Sequence, residues 1–258
     1  MRELLRAGAD GDGARNDFVG FILRSAINDV YLSIFDTDGS VLAEPVLPSF
    51  LARLYQNRIR AEALMGDPGW GIDPSEDTGN GRRSILAHID DMNAYNSAKG
   101  DVTQRFRGAH LDVEPWLLPG HTGSDLSWVE SLIGAYGAVS QELASAHLSP
   151  GMTLVADVAG AKAQHAMSPQ RQRMLDSVTR LVLMQYERST LQPVEAQTAQ
   201  FLQGLSISGD NHGVIVAIRV IDFPLPVTST TTQLQSDLQT NSAYQGWTIF
   251  DYEQASSQ

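Results

Sequence analysis

Arg105-Phe106-Arg107-Gly108-Ala109-His110-Leu111-Asp112-Val113-Glu114-Pro115-Trp116, near the middle of the chain, decides how the rest is read. Apolar and polar residues alternate along it, which is the two-residue period of a β-strand. Ala109, Leu111 and Val113 share one face, and His110, Asp112 and Glu114 share the other. One face suits a core and the other suits chemistry. Pro115 has no N–H to give to a ladder, so the strand is expected to stop there with Glu114 at its C-terminal tip.

Downstream, Ser127 and Glu130 have capping-box spacing ahead of a helix that carries Val129, Leu132, Ile133 and Tyr136. A strand over 152–158 follows, with Asp157 near its C-terminal end. Ser168 and Pro169 read as a cap and a first-turn proline for a helix with Met174, Leu175 and Val178. Then come a strand over 181–186, a helix over 195–205, a strand over 214–220, a helix over 231–238 and a strand over 247–250.

Upstream, Asn16 and Asp17 offer caps for a helix with Phe18, Phe21 and Ile22, and a strand follows over 30–35. Pro48 and Ser49 open a helix with Phe50, Leu51, Leu54 and Tyr55, ahead of a short strand over 59–64. Residues 66–81, rich in Pro and Gly and holding Trp70, read as a functional loop, because regular alternation resumes in a helix over 84–97.

Seven strands, each separated from the next by a helix, imply parallel pairing through right-handed crossovers. A doubly wound sheet and a β/α barrel both satisfy that pattern. No Gly-rich phosphate turn follows the first strand, and carboxylates or hydroxyls recur at C-terminal strand ends, where barrel active sites are assembled. The expected fold is an α/β (β/α)8 TIM barrel spanning residues 1–258 as one domain, with its first strand missing or irregular within residues 1–6. A missing strand would leave the last one with an unpaired edge, which favours a homodimer or low stability.

The chain has 30 acidic and 18 basic residues, a net charge of -12, so its average field repels nucleic acid and anionic membrane. No apolar run approaches the roughly 18 to 20 residues that membrane insertion needs. With no cysteine, thiol catalysis, disulfides and zinc-thiolate sites are excluded, but compartment is left open. The first six residues carry no apolar signal-peptide core.

The central strand resembles the chitinase-like glycoside hydrolases of family eighteen, and more closely a bacterial branch of them that reads Gly-Ile-His-Leu-Asp-Val-Glu-Pro. Against the signature Asp-Gly-x-Asp-x-Asp-x-Glu, Gly108, Asp112 and Glu114 match, while Arg107 and His110 stand where the two earlier aspartates would be. A second motif, Met-x-Tyr-Asp, resembles Met184-Gln185-Tyr186-Glu187, with glutamate for aspartate. The family carries these motifs on its fourth and sixth strands. Counting a missing first strand, they fall on the fourth and sixth here too.

The resemblance implies a hydrolase of polysaccharides, a glycosidase whose carbohydrate substrate bears N-acetyl amino sugars and which needs no cofactor. Glu114 would be the general acid/base, Asp112 would orient the substrate's acetamido group, and Tyr186 would hydrogen-bond its carbonyl. Like charges two apart on one strand face raise the pKa of one of the pair, as an acid working near neutral pH requires. His110, Asp157 and Glu187 would line the substrate site, and Trp70, Trp116 and Tyr252 would offer apolar ring faces to a pyranose. Two other readings stay open: a non-catalytic barrel that binds glycans or a protein, motivated by the two replaced aspartates, and a metal-dependent lyase or hydrolase holding a divalent ion on His110, Asp112, Glu114 and Asp157.

Overall fold

The structure, a computed structural model, describes residues 2–5, 8–25, 27–36, 39–73, 75, 83–119, 127–145, 152–186, 190–207, 212–219 and 227–250. Seven strands form one parallel sheet in chain order: β1 (Asp29–Ser33), β2 (Arg60–Met65), β3 (Gly108–Leu111), β4 (Thr153–Ala159), β5 (Arg180–Met184), β6 (Gly213–Arg219) and β7 (Tyr244–Phe250). Helices alternate with them: α1 (Ala9–Arg24), α2 (Leu47–Gln56), α3 (Ile85–Ser97), α4 (Ser127–Ser145), α5 (Ser168–Asp176), α6 (Leu191–Leu202) and α7 (Val227–Leu238). The sheet curls into an incomplete (β/α)8 barrel. Among the described residues there is no eighth barrel strand, and β1 and β7 do not pair.

Strand alternation sorts the side chains into two shells. Ala61, Ala63, Ala109, Leu111, Leu181 and Leu183 are buried on the helix-facing side. Asp29, Tyr31, Glu62, His110, Thr153, Asp157 and Arg180 alternate with such apolar positions, and their mutual contacts lie on the concave side. At the N-terminal end of the barrel, Arg180 Nη2 donates to Glu62 Oε1 at 2.7 Å and Thr153 Oγ1 donates to the same oxygen at 2.6 Å. Arg180 Nη1 also reaches Asp29 Oδ2 at 3.3 Å, and Arg60 Nε donates to Asp29 Oδ1. Four strands are thus clamped by one buried ionic network.

Gly108 lies beside that network, opposite Glu62 on β2 and Thr153 on β4. A Cβ at this position would overlap the Thr153 carbonyl and hydroxyl, so only glycine fits. Gly108→Ala should lower unfolding free energy by about 1–3 kcal/mol through overpacking. A urea midpoint within error of the parent would refute this.

The entry and exit of β3 are both fixed by backbone contacts. Buried Asn96, near the end of α3, donates from Nδ2 to the Phe106 carbonyl at 3.1 Å and accepts from the Phe106 N–H at 3.0 Å. At the other end, the Asp112 N–H donates to the Met65 carbonyl at 2.9 Å. The ladder then stops at Leu111, four residues before Pro115, so Glu114 lies beyond the strand and not on its tip. Its backbone (φ -114, ψ 66) turns the chain into a 3₁₀ turn at Pro115–Leu117.

Two helix starts also differ from expectation. Asn16 and Asp17 lie inside α1, which begins at Ala9 after Gly8 in the left-handed region (φ 89). Arg15 holds this early start in place, donating to the Leu4 carbonyl at 2.6 Å and to Asp12 at 2.5 Å. In α5 the cap is Met167, whose N–H donates to Gln170 Oε1 at 3.0 Å, and Ser168 is already helical. By contrast Ser84 caps α3 through its hydroxyl, which accepts from the Ala87 N–H at 3.3 Å.

Candidate active site

The C-terminal ends of β3 and β4 bring His110, Asp112, Glu114 and Asp157 together. His110 Nε2 meets Asp157 Oδ2 at 2.9 Å, and both side chains are buried. Below the imidazole, the Tyr31 ring lies with its centroid 3.9 Å away. From outside the sheet, the Tyr136 hydroxyl of α4 donates to the Asp157 backbone carbonyl at 2.5 Å, tying α4 to β4. Asp112 and Asp157 follow the paired residues Leu111 and Ala156 on neighbouring strands, and one oxygen of each carboxyl is buried without a hydrogen-bond partner.

These contacts set the charges. Burial pushes the Asp112 carboxyl up to about 7, with Asp157 and Glu114 adding to the shift and His110 opposing it. Burial also raises Glu114, helped by Asp157 and opposed by the hydrogen bond from Trp116. For His110, burial pulls downward, but Asp157, Glu62 and Asp112 together outweigh it and the imidazole ends above its ordinary value. Tyr31 is held well above the usual phenol range, first by burial and then by Glu62. The site therefore favours the charged form of its histidine and the neutral forms of Asp112 and Glu114.

Asp112 gives a testable consequence for stability. A carboxyl whose folded pKa is raised contributes stability that is present below its unfolded value and lost as pH rises through its folded value. Through this group the parent should lose stability between about pH 4 and about pH 7. Asp112→Asn, which cannot ionise, should therefore gain melting temperature relative to the parent as pH rises from 5 to 8. A difference in Tm that does not change with pH would contradict it.

The two tryptophans are not sugar platforms as they stand. Trp70 is 2% exposed, with its ring edge-on to His88 at 5.1 Å. It sits on a 3₁₀ turn, Pro68–Gly71, that is started by the Asp67 side chain and pressed at Gly71 against Pro115. Trp116 is 6% exposed and packs edge-on against Trp128 at 5.1 Å. Its indole Nε1 donates to Glu114 Oε2 at 3.1 Å, so its contact with the site is to hold the carboxyl, not to present a face.

Tyr186 is half-buried and follows the end of β5, two strands from β3 and at the same end of the sheet as Asp112 and Glu114. Glu187 and Tyr252 lie outside the described residues. Among the described residues no three His, Asp or Glu side chains are grouped so as to hold a metal ion. Likewise, no helix among them is long and apolar enough to cross a membrane.

Tyr31, Tyr136 and the donor role of Trp116 were not singled out from the sequence. Tyr31 carried a signal in its alternation within a strand. Tyr136 sits among apolar helix positions and reads as core, because only the tertiary fold places its hydroxyl against the Asp157 carbonyl of β4.

The fold is shared with solved glycoside hydrolases. The chain is similar to the glycoside hydrolase domain of PgaB (BpsB) from Bordetella bronchiseptica, with 12% identity and a TM-score of 0.55 over 98% of this chain and 92% of that one. It is similar to a GH18 chitinase from Pseudoalteromonas aurantia, with 11% identity and a TM-score of 0.57 over 92% and 90%. The GH53 catalytic domain from Ignisphaera aggregans aligns over 91% of this chain and 78% of its own, at 12% identity and a TM-score of 0.53. At such identities the likeness concerns the barrel alone. No protein-family model matches the sequence, and no curated protein does.

Proposed function

We propose that this barrel hydrolyses a polysaccharide, one containing N-acetyl amino sugars, with Glu114 as the general acid/base. The observation that carries the reading is the Glu114 carboxyl itself, raised by burial, gripped by Trp116 Nε1 at 3.1 Å and standing beside an Asp112 that keeps its proton near neutral pH. A glycosidic oxygen leaves readily only when protonated, and a carboxylic acid that is still protonated at working pH can do this. Asp112 then offers an O–H or a carboxylate to the substrate's acetamido group, which attacks the anomeric carbon and makes a second enzymic nucleophile unnecessary. Tyr186, at the same end of the sheet, is the proposed partner of the acetamido carbonyl. Glu187 and Tyr252 are proposed as further sugar contacts.

The test is turnover of β-linked N-acetylglucosamine oligomers and of bacterial exopolysaccharides, with the anomer of the first-formed product read by NMR. Attack by the substrate's own acetamido group gives net retention. No turnover on any of them would overturn the hydrolase reading, and an inverted product would overturn the acetamido route.

A second reading, a non-catalytic glycan-binding barrel, is favoured by one observation. His110 stands at a position where the chitinase-like signature has an aspartate, and it is committed to an ion pair with Asp157. Glycan binding that survives Glu114→Gln, in a parent that turns nothing over, would support it.

A further inference from the structure

The opposite end of the barrel from Glu114 carries a charge pattern that the proposed reaction does not use. With 30 acidic and 18 basic residues, the chain has carboxylates in excess for any surface cation to meet. Arg15, Arg60, Arg83, Arg173 and Arg180 each find one. Arg53, Arg58, Lys99, Arg105 and Arg107 pair with none among the described residues.

These five gather where β2 and β3 begin. Arg53 lies in the last turn of α2 and Arg58 just beyond it, Lys99 follows α3, and Arg105 and Arg107 lead into β3. Backbone and ring contacts join them. The Arg58 N–H donates to the Tyr55 carbonyl at 2.9 Å, and the Arg107 guanidinium lies over the Tyr55 ring, 5.8 Å from its centroid. Arg105 donates from Nε and Nη2 to the Lys99 carbonyl at 3.0 and 2.6 Å. Between the cations stand two exposed apolar groups, Tyr55 at 44% and Val102 at 48%, where α2 packs against the 3₁₀ turn Val102–Gln104. Asp101, the carboxylate nearest in sequence, is occupied by the Thr103 N–H at 2.9 Å.

Helix dipoles account for part of the pattern. Arg53, Arg58 and Lys99 stand at C-terminal helix ends, where cations are favoured. Arg105 and Arg107 stand at none. Arg58 also has φ 62, and among the described residues it is the one non-glycine in the left-handed region. The N–H groups of Arg58 and Ile59 close α2 on the carbonyls of Tyr55 and Leu54, an arrangement in which glycine is the least strained residue at position 58. An exposed arginine where glycine would be more stable fits a residue present for its charge.

We propose that this rim docks an acidic protein segment, one with an apolar side chain among its carboxylates. Guanidinium forks match carboxylates, and arginine beside exposed tyrosine is the composition found at interface centres. Other occupants match the surface less well. A second copy related by a two-fold axis would set the patch against itself, cation facing cation. A pyranose would need the Tyr55 face that Arg107 covers. A long polyanion or an anionic membrane meets the field of the whole chain, net charge -12, whereas a short segment feels mainly the charges within about 8 Å. Because the rim lies at the N-terminal strand ends, its occupation leaves the mouth of the barrel open, and the proposal stands apart from the reaction.

The probe is a fluorescein-labelled peptide of about ten residues that repeats Glu-Glu-Leu, added to the whole chain and followed by anisotropy, with amide NMR shifts locating the contact. Shifts should centre on Tyr55, Val102 and Arg107. Affinity should fall about 10-fold or more between about 50 and 300 mM salt, as exposed charge pairs are screened. Arg107→Gln should weaken binding about 3–10-fold. Arg58→Gly should weaken it by a similar factor while raising Tm by about 1–3 °C, since glycine suits the left-handed backbone. Loss of folded protein cannot produce that pair of results.

Binding weaker than about 1 mM at low salt overturns the proposal. So does equal binding of a peptide with Gln in place of Glu, or an affinity unchanged in the double variant Arg58→Gly/Arg107→Gln. Tighter binding of oligothymidylate, polygalacturonate or phosphatidylserine vesicles than of the peptide overturns the acidic protein segment as the occupant.

Discussion

Arg180→Met should cost about 3–5 kcal/mol of unfolding free energy, the largest single-residue effect expected in this fold outside the cluster. Glu62 is wholly buried, and its charge is answered by Arg180 Nη2 and the Thr153 hydroxyl on the same oxygen. Its second oxygen has no partner. Removing the guanidinium leaves a carboxylate that one hydroxyl cannot compensate, and it also releases Asp29 from β5. The pair need not be stabilising as a whole for this to hold, since breaking a buried pair is far costlier than replacing it. Accordingly, the double variant Glu62→Gln/Arg180→Met should recover much of the loss.

The pH dependence of that loss has a definite sign. Burial already raises Glu62, and Arg180 is the strongest influence opposing it. Without Arg180 the carboxyl moves higher still. A raised carboxyl costs stability above its unfolded pKa and relieves that cost when protonated, so the deficit of Arg180→Met should be greatest near pH 8 and shrink towards pH 5. Urea unfolding at both values decides the point. A loss below about 1 kcal/mol, or one independent of pH, would mean the network is not what clamps these strands.

The barrel was legible because its signals are local. Strand and helix periods follow from side-chain geometry within a few residues, and strict alternation leaves few topologies. Gly108 shows a motif position acquiring a physical reason only from the fold: it is glycine because Thr153 of the neighbouring strand crosses where a Cβ would be. The end of β3 was misplaced because Pro115 marks where a ladder must stop, not where it does. Met65 is the last partner that the strand finds, through Asp112.

The site was legible in part for a similar reason. Asp112, Glu114 and His110 stand out by alternation along one stretch of sequence, although only His110 lies within β3. Whether a tryptophan faces solvent or core is a tertiary fact, and Trp70 and Trp116 illustrate it: the proline-rich turns that carry them fold inward on each other. The His110–Asp157 ion pair joins residues 47 apart on neighbouring strands, and no local pattern encodes it.

Glu114→Gln should reduce kcat by about 10²–10⁴-fold on any glycan the parent cleaves, the contribution expected of one general acid. That range corresponds to about 3–5.5 kcal/mol in the activation barrier. Folding should be nearly untouched, because the amide oxygen of glutamine can still accept from Trp116 Nε1, and KM should change little if the acid acts mainly in the transition state. Trp116→Phe makes the complementary test. The indole hydrogen bond lowers the Glu114 pKa against the upward push of burial, so removing it should raise that pKa and move the alkaline limb of the rate profile to higher pH. Loss of rate in the first variant and displacement of the limb in the second would together identify Glu114 as the proton donor. Turnover in Glu114→Gln within a few-fold of the parent would assign the proton to another group, whatever the sugar.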